Sequence, residues 1–124
     1  MSEYPSVLDS SSILNSIKKM LGISPNDDGF DQEVKDLINA EFLTLHQLNI
    51  GPEEGFSIEG PDDTWDSFTD NLHIKDAVRQ FIYLRVKLIF DPPASSTVAD
   101  AINNRISELE FRLNIQAEGD AEES

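Results

Sequence analysis

The sequence contains no cysteine. Disulfides, thiolate zinc sites and cysteine nucleophiles are therefore excluded. Basic residues are scarce: nine Lys and Arg stand against 24 Asp and Glu, a formal net charge of −15. A chain so charged repels free DNA and anionic lipid as a whole, so contact with either needs a local basic patch. No apolar run approaches the ~18–20 residues that span a bilayer. The opening Met1 to Pro5 has no basic stretch leading into an apolar one and does not read as a signal peptide. Chemistry-bearing motifs are missing as well. There is no Walker A run, no G-x-G-x-x-G, no H-E-x-x-H and no G-x-S-x-G. His46 and His73 lie in different segments and suggest no His–acid–Ser constellation. The acid-rich run Asn26 to Glu33 lacks the alternating ligand order of an EF-hand loop. No enzyme activity, cofactor or metal is expected.

What is present suits a small helical domain. A chain of 124 residues is one domain by length, and seven Phe with one Trp supply a core that needs no staples. Residues 1–9 hold few apolar positions and read as a mobile arm. Ser10 to Ser12 offer N-caps for a first helix over about 10–21, whose stripe is Ile13, Leu14, Ile17, Met20 and Leu21. Gly22 and Pro25 end it. A second helix over about 31–48 carries Val34, Leu37, Ile38, Phe42, Leu45 and Leu48, with Phe30 placed for a hydrophobic staple onto Val34.

Residues 49–63 break the period with three Gly and two Pro, and Phe56 and Ile58 alternate as in a short strand or ordered loop. Thr64 to Phe68 reads as one helical turn with Trp65 and Phe68 inward. Residues 72–90 are apolar nearly all round and predict a buried helix, although Leu84 to Leu88 also alternates like a strand. Asp91-Pro92-Pro93 stops it. The next helix starts at Ser95 to Thr97, with Thr97 and Asp100 at capping-box spacing. Its stripe is Val98, Ile102, Ile106, Leu109 and Leu113, ending near 115. Residues 116–124 read as a disordered acidic tail. The expected fold is all-α: about four main helices in a bundle, with an irregular acidic loop before the central apolar helix.

Several positions point to assembly. Glu41 lies inside the apolar stripe of the second helix, and Arg85 lies in the most apolar helix. Either they pair within the domain or across a subunit boundary, or they reach solvent. Lys75, Arg79, Tyr83 and Lys87 recur every four residues as a basic stripe, either solvated or facing a phosphate backbone or, as the seven acids of 49–71 favour, a neighbour's acidic loop. Seven acids and no base fall between 49 and 71, among them Glu53, Glu54, Glu59, Asp62 and Asp63. Phe111 and Ile115 point away from the stripe of the last helix, to be covered either by the N-terminal arm or by a neighbour, and Leu43, Gln47 and Ile50 form a weaker spot of the same kind.

Taken in order, these segments resemble the small head–tail connector (adaptor) proteins of tailed bacteriophages. The likeness opens at Ile13 to Ile23, continues through Phe30 to Leu48 and Trp65 to Phe68, and is most specific at Val78 to Pro93. That segment is similar to the family's "YIYLKVRLLFDPP", and Ile106 to Asn114 is similar to its "ELEWRLN". The resemblance covers about residues 12–116. It implies a non-enzymatic virion protein, made in the bacterial host cytoplasm and ending at the head–tail joint. Its implied partners are further copies in a ring, expected to be dodecameric, the portal protein, and a stopper or tail-completion protein. DNA would pass through the ring without sequence-specific binding, and no membrane is involved. The acidic loop is expected on the channel wall, where it would repel phosphate. A different reading of the same acidity is a phage-encoded module, or DNA mimic, that binds a host protein.

Overall fold

The computed structural model describes residues 11–123, with side chains over 11–119. The arm expected over 1–9 lies outside the described residues. Among the described residues the structure gives five helices in order: α1 (Ile13–Met20), α2 (Asp31–Gln47), α3 (Trp65–Phe68), α4 (Leu72–Phe90) and α5 (Ser96–Glu123). Helix α4 is the centre of the bundle: α5 packs along it, and α2 and α1 meet it from elsewhere. The shared core includes Ile17, Ile38, Phe42, Phe81, Ile82 and Leu109, all buried. The helix alternative for Leu84 to Leu88 is the one observed.

Local chemistry explains the boundaries. Ser12 caps α1 by accepting from the Asn15 amide. The helix starts with the first residue of the apolar stripe; just before it Ser12 forms an isolated antiparallel bridge with Thr64, and Ile13 N–H donates to the Asp63 carbonyl at 3.0 Å. At the other end Gly22 takes φ +81°, so Ile23 N–H reaches Lys18 O (2.9 Å) and Gly22 N–H reaches Lys19 O (3.1 Å). Asn49, with φ 63°, closes α2 in the same way. Phe30 is itself the cap residue of α2, and its ring packs edge-on against Phe90, with centroids 5.2 Å apart.

The 49–63 segment is an ordered loop, and no strand forms among the described residues. Asn39 on α2 substitutes for a strand partner: its side chain donates to the Ile58 carbonyl (3.0 Å) and accepts from the Ile58 amide (2.7 Å). This clamp sets Ile58 into the core. Phe56 joins Phe42 and Phe68 in edge and tilted ring contacts. Trp65 Nε1–H donates to Ser16 Oγ at 2.9 Å, and Ser16 in turn donates to the Ile13 carbonyl at 3.0 Å. The loop and α3 are thereby tied to α1 and α2.

Helix α4 corrects the expectation of burial all round. Val78, Phe81, Ile82 and Val86 are buried, whereas Leu72 and Ile89 near its ends are more than 60% exposed. Helix α5 brings three corrections. Ser95, not Thr97, caps it, through the Val98 amide at 3.4 Å and the Ala99 amide on its carbonyl. Val98 is largely exposed, so the buried stripe begins at Ile102. The helix also continues past 115 through Glu123, where a disordered tail is expected. Ala and Glu are good helix formers, and extending an existing helix adds one bond per residue ordered. Ala117 also packs against the core, which the tail's polarity conceals.

Candidate assembly surfaces

Glu41 and Arg85 come together within one chain. Arg85 Nε donates to Glu41 Oε1 at 2.7 Å; the Glu41 side chain is 5% exposed and that of Arg85 38%. The guanidinium also lies over the Phe81 ring, 5.7 Å from its centroid. The pair therefore joins α2 to α4 at the edge of the core. Arg85→Met is expected to destabilise the fold by about 3 kcal/mol, because it leaves a buried carboxylate without its cation. Adding Glu41→Leu is expected to recover most of that loss, read as urea midpoints around a double-mutant cycle.

Lys18, which the sequence reading passes over, is a second buried cation. Its side chain is 2% exposed, and Nζ lies 2.7 Å from Asp31 Oδ1, tying α1 to the first turn of α2. The signal was present: Lys18 stands four residues after Leu14, on the apolar stripe.

The basic stripe along α4 is largely neutralised by the chain's own acids. Lys75 pairs with Asp66. Arg79 pairs with Asp76 at 3.2 Å, one turn away. Lys87 reaches Asp91 at 3.3 Å and its carbonyl at 3.2 Å. Tyr83 is half-buried against the core. Little unpartnered charge is left on this stripe.

Helix α5 turns a different face outward. Thr97, Ala101, Asn104, Glu108, Phe111 and Ile115 are all exposed and follow one another at alternating spacings of four and three. That spacing lines them along one seam of the helix. Phe111 is 65% and Ile115 53% exposed. The seam's only ionisable residue, Glu108, is held by Arg112 at 2.7 Å and Arg105 at 3.1 Å. On a chain this acidic, a seam with two bulky apolar residues and one neutralised carboxylate is suited to contact. Leu43 is exposed on α2, but Ile50 is 5% exposed and belongs to the core, so the weaker apolar spot there reduces to Leu43.

Between α4 and α5 runs a groove of about 310 Å³. Gln80 and Arg105 bridge its walls at 3.0 Å, Arg112 and His73 also line it, and Leu109 and Leu113 contribute apolar surface. The acidic loop presents the opposite character. Glu53, Glu54, Glu59 and Asp62 are exposed. Asp63 differs from them: its Oδ2 accepts from the Glu59 and Gly60 amides at 2.7 and 3.2 Å and so shapes the turn.

Among the described residues no group of three or more His, Asp or Glu is placed to hold a metal ion, and no helix is long and apolar enough to cross a membrane. The sequence profile of the family described as phage connector protein matches residues 13–120. No curated protein and no solved structure matches the chain.

Proposed function

Because the chain belongs to the phage connector protein family, a family of structural virion proteins, we propose that it forms the ring adaptor between the portal vertex of the filled head and the tail. The observation that carries this reading is the outward seam of α5. Phe111 and Ile115 together expose apolar surface that an isolated chain has no use for, and the seam's one acid is neutralised in advance. A protein with this face and a connector's sequence serves by binding other virion proteins.

In this reading copies associate around the channel, and the seam supplies the apolar part of the assembly surface. The portal lies on one side of the ring, and a stopper or tail-completion protein lies on the other. The chain's net charge of −15 would keep DNA from adhering as it passes.

The test is electron microscopy of particles made by the parent phage with this gene deleted. Unstable or DNA-emptied heads accumulating beside free tails are expected. Normal tailed, infectious particles would overturn the adaptor reading and leave the acidic host-binding module in its place.

A further inference from the structure

The α4–α5 groove is lined by two arginines and one acid, Asp76. The two are Arg105 and Arg112, of the chain's four, and a third, Arg79, stands next to the groove in its pair with Asp76. Arg112 makes one contact with Glu108 and is 60% exposed, so most of its five N–H donors face water. Arg105 bridges to Gln80 and Glu108 and is 38% exposed. Complementary charge lies elsewhere on the same chain. The side chains of Glu53, Glu54, Glu59 and Asp62 are exposed, and none has a hydrogen-bond or ion-pair partner among the described residues.

The loop cannot serve its own groove as folded. It is held on α1 and α2 by the Asn39–Ile58 clamp and the Ile13–Asp63 bond, and none of its residues lines the groove. We propose that the α4–α5 groove receives the acidic 53–62 loop of a second copy. The inference rests on the ring-adaptor reading and names one of its contacts. Two different surfaces meet, so the contact is heterologous and repeats from copy to copy, which is the condition for a closed ring. It moves the loop from the channel wall, where the sequence reading puts it, to the boundary between subunits. It also gives so acidic a chain a way to sit against itself: the neighbour's carboxylates meet Arg105 and Arg112 in a groove whose lining acid, Asp76, is already paired with Arg79.

The experiment uses heads from a phage lacking this gene, purified full-length protein, and the number of copies bound per head. One variant reverses the groove (Arg105→Glu/Arg112→Glu), and one reverses the loop (Glu53→Lys/Glu54→Lys/Asp62→Lys). Each alone places like charges at every contact and is expected to load at least about 100-fold more weakly than the unaltered protein. Mixed one to one, the two variants restore opposite charges at every contact, and loading is expected to return. Circular dichroism checks folding, and Arg112→Glu alone, at the more exposed position, gives a milder groove variant. Loading of either reversed variant at the unaltered level would overturn the contact. So would failure of the mixture, or a loss confined to the groove variant, which would assign the arginines to a different polyanion such as DNA. These results leave the adaptor reading standing, whereas failure of the unaltered protein to load would remove both.

Discussion

Phe111→Asp is expected to abolish loading onto portal-bearing heads while leaving the isolated chain folded. Phe111 is 65% exposed and is not among the described hydrophobic residues packed into the core, so its replacement should shift stability by no more than about 0.5 kcal/mol. At an interface the same change removes an aromatic anchor and places a carboxylate where it is desolvated without a partner. Such positions typically cost at least ~2 kcal/mol per contact. In a ring the loss recurs at every subunit, so a modest defect per contact becomes a large one in assembly. Three measurements separate the possibilities: far-ultraviolet circular dichroism, the urea midpoint, and the yield of infectious particles. Unchanged spectra with a collapsed yield are expected. A normal yield would remove Phe111 from the assembly surface.

The second large effect is on stability. Phe42→Ala is expected to cost about 3–5 kcal/mol and to lower the thermal midpoint by roughly 10–20 °C. Phe42 is 1% exposed, and its ring lies 4.9 Å from Phe56, 5.1 Å from Phe68 and 6.4 Å from Trp65, centroid to centroid. Truncation would leave a cavity at the point where the acidic loop and α3 lean on α2. The loop has no strand pairing of its own, so this ring cluster, the Asn39 clamp and the Ile13–Asp63 bond order it. Amide exchange at Ile58 should therefore accelerate more than exchange in the middle of α4. Phe42→Leu keeps most of the volume and should cost about half as much. A loss below about 1 kcal/mol for Phe42→Ala would show that the cluster is not what secures the loop.

The helices were legible because their signals are local. Apolar spacing in Val34 to Leu45 and Val78 to Val86, the glycine after Leu21 and the paired prolines after Asp91 act over one or two turns, a range at which a sequence can be read directly. The conflict between Glu41 and Arg85 was legible too, since each charge interrupts an apolar stripe. Their pairing within the domain was one of the outcomes the sequence offered, and the way α2 crosses α4, 44 positions apart in the chain, selected it. Other outcomes have the same origin. Phe30 meets Phe90 from far along the chain, and the cations of the α4 stripe are claimed by Asp66, Asp76 and Asp91. The last turns of α5 stay helical behind Ala117.

By itself the sequence determined the helical character, the central apolar helix, the absence of thiol chemistry, the acidity and the likeness to phage connectors. All of these follow from composition or from patterns along a short stretch of chain. Only the tertiary structure decided which charges are already paired and which remain available. It took Lys75, Arg79 and Lys87 out of the pool of unpartnered cations, joined Arg105 and Arg112 across a groove from His73 and Gln80, and left Glu53, Glu54, Glu59 and Asp62 exposed. The physical reason is that ion pairing and exposure depend on distances of a few ångströms between residues far apart in the chain. Those distances are set by helix packing, and no local pattern encodes them.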